Sequence, residues 1–247
     1  ENQTVEVFSR DEETAIVAVC RASEKLARRG LAKEIETFSS SKGGLATSIK
    51  KHYGTEKKLK IIWLFVTENI IWSKPDRDAA LAAHIHVVTE RELRYYAQIA
   101  DHIGKSARFQ FLAEFLRDQQ IPGLSNHTVP AIRARLGGRK IYVFVSTPRH
   151  LIPLDFVHPR SLTAPEGAPT YQRLISRSRL REIATYISGG GFFPNNILVN
   201  FINAVRFEKM GGGEFGDFGV GRIYLPDRYR SAWIIDGQHR LYGYSPV

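Results

Sequence analysis

The 247-residue sequence contains a single cysteine, Cys20, and a single methionine, Met210. One cysteine excludes a disulfide within the chain and a zinc site built from several thiolates. No apolar run approaches the roughly 20 residues that a membrane-spanning helix requires. The first ten residues, "ENQTVEVFSR", lack the basic and apolar regions of a signal peptide. We therefore expect a cytoplasmic protein with no membrane partner.

Acidic residues are scarce in the second half of the chain. The formal net charge of the whole sequence is +10. Residues 1–120 carry 19 basic and 17 acidic residues, whereas residues 121–247 carry 16 basic and 8 acidic residues. In the second half only Lys140 and Lys209 are lysines, and the other basic residues are arginines. Because the guanidinium fork grips phosphate oxygens two at a time, this composition indicates phosphate or nucleic-acid recognition. Arginine used only for solubility is the alternative interpretation.

The first half alternates predicted strands and helices. Strands are predicted at 13–20, 58–68 and 85–90, with helices between them and after them, the first of which is interrupted near Gly43–Gly44. This order is typical of an α/β domain. The segment 121–130, "IPGLSNHTVP", is rich in turn-forming residues and predicts a domain boundary. We therefore expect an α/β domain over 1–120 and an α+β domain over 121–247.

The segment "WIIDGQHRLYGY", residues 233–244, predicts a strand, a turn and the first turn of a helix. Gly237 at such a turn can present bare backbone N–H groups to an anion, and the following helix points its positive end there. Arg240 can add a bidentate grip, while Gln238 and His239 can position a water, a base or a sugar hydroxyl. Asp236 can cap the helix or reach a phosphate-bound metal. A helix cap with incidental polar residues is the alternative.

"IIDGQHRLYGY" resembles the signature of DGQHR-domain proteins, which include the DndB-type proteins of DNA phosphorothioation systems. The upstream segment "YQRLISRSRLREIATYISGGGFFPNNILVNF" extends the resemblance, and the order of motifs is similar to the ParB/sulfiredoxin fold. The resemblance covers roughly residues 140–247. That fold needs further elements after Tyr244, so we expect the domain to be incomplete at its C-terminus.

The resemblance assigns roles to individual residues. It implies catalytic roles for Asp236, Gln238 and His239. It implies nucleotide or phosphate binding by Gln172, Arg173, Arg177, Gly237 and Arg240. Arg179 and Arg181 are expected at the surface or facing DNA. The implied cofactor is a nucleoside triphosphate of unknown base, with Mg²⁺.

The N-terminal segment "TVEVFSRDEETAIVAVCRASEKLARRGLAKEIETF" resembles the core of a PD-(D/E)xK nuclease, a restriction-endonuclease-like α/β sandwich. Glu6 or Asp11 would supply the first metal-binding acid. Val19-Cys20-Arg21 stands where the family has Glu-Cys-Lys, so a metal ligand and the catalytic lysine are missing. We expect this domain to be catalytically degenerate. A plain α/β binding domain is the alternative.

These observations predict a protein associated with DNA modification or phage defence. In this hypothesis it binds a nucleoside triphosphate through the DGQHR loop and contacts DNA, and hydrolysis of the nucleotide is left open. One alternative is a non-enzymatic DNA-binding transcriptional regulator of the DndB type, and another is a Mg²⁺-dependent DNA nuclease. The expected partners are DNA and other defence-system subunits, and a homo-oligomer is left open.

Overall fold

The computed structural model describes residues 6–11, 13–53, 59–125, 127–156, 176–215 and 218–245. The chain forms two compact units, Glu1–Tyr95 and Tyr96–Val247. The predicted domain boundary at 120/121 lies 25 residues further along the chain than this division. Residues 96–120 therefore fold with the second unit. The assignment of separate functions to residues 1–120 and 121–247 stays a prediction.

The first unit contains a four-stranded sheet in the order β1-β2-β3-β4. Strand β1 is antiparallel to β2, whereas β2, β3 and β4 are parallel. Helix α1 connects β2 to β3 and helix α2 connects β3 to β4, as parallel neighbours require. The bounds are β1 Val7–Asp11, β2 Thr14–Ala27, α1 Ala32–Tyr53, β3 Lys60–Ile70, α2 Lys74–Ala82 and β4 His86–Thr89. Helix α3, Glu90–Ile103, contains the division between Tyr95 and Tyr96.

Helix α1 runs without a break through Gly43 and Gly44, so the predicted interruption there is wrong. Two glycines in a helix interior cost about 1 kcal/mol each. The buried residues Phe38 and Ile49, on either side of the pair, pack into the core of the unit. Burial of an aromatic and an aliphatic side chain outweighs that cost. At the start of α3 the Glu92 carboxylate accepts from the backbone N–H of Thr89 at 2.6 Å, as in a capping box.

The second unit contains a four-stranded antiparallel sheet in the order β6-β5-β9-β8 and a separate antiparallel pair, β10-β7. A short 3₁₀ turn at Gly104–Ser106 separates α3 from α4. The bounds are α4 Ala107–Phe115, β5 Thr128–Leu136, β6 Arg139–Phe144, α5 Pro148–Leu151, α6 Arg177–Ser188, β7 Leu198–Phe201, β8 Phe207–Phe215, β9 Phe218–Tyr224, β10 Ala232–Asp236 and α7 Gln238–Tyr242.

Strand β5 was not predicted from the sequence. Pro130 near its start and Gly137–Gly138 after its end are typical of a turn and a boundary. In the structure β5 lies in the middle of the sheet, with Val129 and Ala131 packed against Ile223 of β9. The glycine-rich segment 208–221 lies in the hairpin of β8 and β9. The predicted combination of α/β and α+β architecture is confirmed.

Candidate functional site

The segment Asp236–Arg240, here called the DGQHR loop, connects β10 to α7. Strand β10 ends at Asp236 and helix α7 begins at Gln238, as the sequence predicted. Gly237, between them, has φ 89° and ψ 14°. A side chain in this left-handed region costs about 1–2 kcal/mol. A Cβ on Gly237 would also lie only 3.0 Å from Cγ1 of Ile197 and 3.1 Å from Nη2 of Arg240. The sharp turn therefore depends on glycine.

A buried polar cluster holds the two ends of the loop in place. Asp155 is fully buried, and its carboxylate accepts from the backbone N–H of Ile234 in β10 at 3.0 Å. The same carboxylate accepts from the Tyr242 hydroxyl in α7 at 2.9 Å. Gln110 of α4 donates to the Tyr242 hydroxyl at 2.7 Å and to the backbone carbonyl of Asp155 at 2.9 Å. One carboxylate thus ties the strand before the loop to the helix after it.

Sequence reasoning missed Asp155 as a supporting residue. Burial raises its pKa to about 6, because desolvation outweighs the hydrogen bonds from Ile234 and Tyr242 that favour the charged form. The available signal was a lone acid in the apolar run "LIPLDF", where a charged residue needs partners. Those partners are far away in sequence, so the signal alone could not have named them.

The DGQHR loop forms one wall of a cavity of about 750 Å³. This volume lies within the range of about 300–1,000 Å³ that is usual for small-molecule sites. The residues that line it are Arg179, Glu182, Ile183, Phe193, Asn195, Leu198, Ile234, Ile235, Asp236, Gly237, Gln238, His239 and Arg240. All five residues of the predicted loop therefore meet at one cavity.

Arg240 is already engaged within the loop. Its Nη1 donates to the backbone carbonyl of Asn195 at 2.7 Å, and its Nη2 donates to the Asp236 carboxylate at 3.0 Å. These contacts hold the guanidinium against the cavity wall. They also offset part of its charge, and α7, with only five residues, adds little of the helix-dipole field that the sequence suggested. The site therefore relies on individual side-chain donors.

Gln238 supplies a donor that has no partner among the described residues. The residue is 7% exposed and lines the cavity. Its Nε2 is buried and makes no hydrogen bond to any described residue. A buried donor left unsatisfied costs about 1–3 kcal/mol. An acceptor on a bound ligand, such as a phosphate or hydroxyl oxygen, would remove that penalty.

His239 links the loop to helix α6. Its Nε2 accepts from the backbone N–H of Ser176, the N-cap residue of α6, at 3.0 Å. Nε2 acts as an acceptor here, so the contact requires the deprotonated nitrogen. The predicted catalytic role of His239 stays a prediction, and the contact gives the residue a structural role in addition.

Helix α6 brings a different arginine to the cavity from the one predicted. Arg177 pairs with Asp101 at 2.5 Å and is not among the residues that line the cavity. Arg179, expected at the surface or facing DNA, lines the cavity together with Glu182. Arg179, Glu182 and Ile183 share one helix face by their spacing, which was the signal available. Gln172 and Arg173 lie outside the described residues, so their predicted roles and that of Arg177 stay predictions.

Glu6, one of the two acids that the nuclease resemblance assigns to metal binding, makes hydrogen bonds to residues of β2. The Glu6 carboxylate accepts from the backbone N–H of Cys20 and from Nη1 of Arg21, the latter at 2.6 Å. Among the described residues, no group of three or more His, Cys, Asp or Glu side chains could hold a metal ion. Glu6 therefore acts within the β1–β2 sheet as the ion-pair partner of Arg21, and a nuclease-like domain stays a prediction.

Comparison with known proteins gives one family. The described helices include none with the length and hydrophobicity that a membrane span requires. No curated protein and no solved structure matches the chain. Residues 129–245 match the model of the family described as DndB, DNA-sulfur modification-associated. The matched segment covers a little under half of the chain and includes β5 to α7, with the whole DGQHR loop. Over these residues the chain is similar to the DndB family.

Proposed function

We propose that this is a DNA-sulfur modification-associated protein whose DGQHR cavity binds a nucleoside triphosphate. The observation that carries the proposal is Gln238, a residue of the cavity lining whose buried Nε2 has no hydrogen-bond partner among the described residues. The similarity to the DndB family supplies the DNA-modification context. Hydrolysis of the nucleotide and contact with DNA are parts of the same proposal.

The charges of the cavity wall suit a nucleotide that carries a metal ion. The wall contains two guanidinium groups, Arg179 and Arg240, and two carboxylates, Glu182 and Asp236. A simple anion would meet repulsion from the carboxylates. A Mg²⁺-nucleotide presents both signs, so its phosphates suit the arginines and Gln238. The Asp236 side chain, 76% exposed, is open enough to face the ion.

The roles proposed for the loop follow from these contacts. Arg240 and Gln238 would bind phosphate oxygens, and the backbone at Gly237 would approach them closely. Asp236 or His239 would orient a water if hydrolysis occurs. Asn195 and Asp236 hold the Arg240 guanidinium in position before the ligand arrives. Preorganised donors of this kind lose little freedom on binding.

Gln238→Leu is expected to weaken nucleotide binding by about tenfold or more while leaving the free protein equally or more stable. The substitution removes an unsatisfied buried amide and keeps a side chain of similar volume. The measurement is thermal shift and calorimetric titration with ATP, GTP, CTP and UTP in the presence of Mg²⁺. Gln98→Leu, at an exposed position of α3, serves as the control and should bind as the unaltered protein does. Arg240→Ala should abolish binding and any phosphate release.

The proposal fails if none of the four nucleotides shifts the melting temperature of the unaltered protein. It also fails if Gln238→Leu binds nucleotide with undiminished affinity. Phosphate release should be assayed with and without DNA, because binding without hydrolysis would retain the nucleotide site and remove only the catalytic part.

A DNA-binding regulator without enzymatic activity is the second candidate. The excess of eight positive charges over residues 121–247 favours it. In this case binding of duplex DNA should weaken steeply with salt, since each neutralised phosphate releases counterions. Gel shifts should not change when nucleotide is added. A gel shift that depends on nucleotide would favour the first candidate.

A further inference from the structure

The hairpin formed by β5 and β6 is a strongly basic exposed element outside the DGQHR cavity. The sequence contains no acidic residue between Asp118 and Asp155. Within this stretch, the hairpin carries four basic residues. They are Arg133, Arg135, Arg139 and Lys140. A group of cations with no nearby acid in sequence is unusual for a solvated surface, where both signs are normally interspersed.

The hairpin has the geometry of a narrow two-stranded ribbon. Gly137 and Gly138 form its turn with φ 54° and 76°, which is typical of the tight type I′ connection. The register of β5 with β9 runs from Thr128 to Arg133. Beyond Arg133, three further residue pairs join β5 only to β6. Residues 135–141 are all exposed.

The cations at the tip of the ribbon are not neutralised by described residues. Arg135 lies directly opposite Lys140 in the register, and Arg139 lies opposite Leu136. Like charges directly opposite each other destabilise a sheet. No ion pair of these three side chains with another described residue is present. Arg133 differs, because its guanidinium lies 4.9 Å from the centre of the Phe207 ring. The tip therefore places repelling charges where an external anion would relieve them.

We propose that the β5–β6 hairpin is the DNA-contacting element, entering a groove of duplex DNA with Arg135, Arg139 and Lys140 against the phosphates. The inference rests on the proposed function and names the surface that would contact DNA. Three residue pairs at about 3.3 Å per residue extend about 10 Å. The major groove is about 8.5 Å deep and 12 Å wide and admits a two-stranded ribbon. The size of the ribbon and the sign of its charge therefore both fit DNA.

The two faces of the ribbon carry different side chains, and the difference suits a position in a DNA groove. One face carries Arg135 and Lys140, and the other carries Arg139 together with Leu136 and Ile141, which are 60% and 40% exposed. Apolar side chains contact thymine methyl groups in the major groove, whereas cations contact the backbone. A protein partner on the face that carries Leu136 and Ile141 is the competing explanation, and the experiment separates the two.

The test compares two triple variants that remove the same charge. The hairpin variant is Arg135→Gln with Arg139→Gln and Lys140→Gln. The control is Arg28→Gln with Lys50→Gln and Lys51→Gln, all at exposed positions of the first unit. Affinity for a short duplex, with and without phosphorothioate linkages, is measured by fluorescence anisotropy over a range of salt concentrations. Melting temperature and oligomeric state are recorded for each protein.

The hairpin variant should lose about fivefold to tenfold in DNA affinity per removed phosphate contact near 0.1 M salt. The slope of the logarithm of its binding constant against the logarithm of salt concentration should become shallower by about 0.9 per contact. Its melting temperature should be unchanged or higher, because the opposed charges are gone. The control should bind as the unaltered protein does. Equal affinity of both variants, while the unaltered protein still binds DNA, would overturn the hairpin inference and leave the proposed function standing.

Two other outcomes would also overturn the inference. If the unaltered protein binds no duplex at any salt concentration, the DNA part of the proposed function fails together with the inference. If the hairpin variant keeps its DNA affinity but changes its oligomeric state, the ribbon is a protein interface instead.

Discussion

Asp155→Ala is expected to lower the free energy of unfolding by about 3–5 kcal/mol near pH 4. The substitution removes the acceptor of the buried hydrogen bonds from the backbone N–H of Ile234 and from the Tyr242 hydroxyl. Each buried donor left without a partner costs about 1–3 kcal/mol. Because these bonds tie β10 to α7, the DGQHR loop should lose its order at the same time. Urea unfolding followed by circular dichroism measures the change.

The destabilisation caused by Asp155→Ala should become smaller as the pH rises. Burial raises the pKa of Asp155 to about 6 from 3.8, so the folded protein holds a proton that the unfolded chain has already released between these values. Stability from this group is therefore present in full below about pH 4 and is lost as the pH rises through about 6. A difference of two pKa units corresponds to about 3 kcal/mol. A salt-bridged carboxylate shows the opposite pH dependence, because folding lowers its pKa and its stabilisation is lost as the pH falls.

Asp155→Asn isolates the titration. Asparagine carries no proton to release, so its unfolding free energy should lack the component that changes between pH 4 and pH 7. The difference between the unaltered protein and this variant should change by about 3 kcal/mol over that range. Parallel stability profiles of the two proteins would show that Asp155 does not titrate near pH 6.

Gly237→Val is expected to remove nucleotide binding and to destabilise the fold by about 2–4 kcal/mol. A β-branched residue at φ 89° is strained by at least about 1–2 kcal/mol. Its Cβ would meet Ile197 at 3.0 Å and Arg240 at 3.1 Å. Displacement of the Arg240 guanidinium would break its contacts with Asn195 and Asp236. The proposed phosphate donor would then point elsewhere.

The loss of nucleotide binding by Gly237→Val is measured by nucleotide titration at a temperature where this variant is folded. Gly237→Ala should show an intermediate effect, since alanine has the same backbone strain but no branched atoms. Gly30→Ala is the matched control. Its φ is not in the left-handed region and a Cβ added there would meet no atom within 4 Å, so it should be neutral or slightly stabilising. Normal binding by Gly237→Val would refute the proposed role of this turn.

The local conformation of the loop followed from sequence because its causes lie within a few residues. Strand-forming side chains, one glycine and a short polar run are enough to specify a strand, a sharp turn and a helix start. The cap of α3 has an equally local cause, since Thr89 and Glu92 are three residues apart. Local patterns of this kind act before any tertiary contact forms.

Other features depended on residues far apart. Asp155 and Tyr242 are separated by 87 positions and Gln110 and Tyr242 by 132, so no spacing in the sequence relates them. Strand β5 was overlooked because Pro130 disfavours a central strand, and only pairing with β6 and β9 makes it one. The entry of Arg179 into the cavity depends on where α6 packs.

The sequence by itself determined the excess of arginine, the α/β and α+β composition and the strand-turn-helix of the DGQHR loop. Each of these depends on composition or on residues close together in the chain. Only the tertiary structure decided which side chains share the cavity, that Gln238 is buried without a partner among the described residues and that Asp155 supports the loop. Burial and pairing depend on the packing of distant segments, and that packing has no local signature.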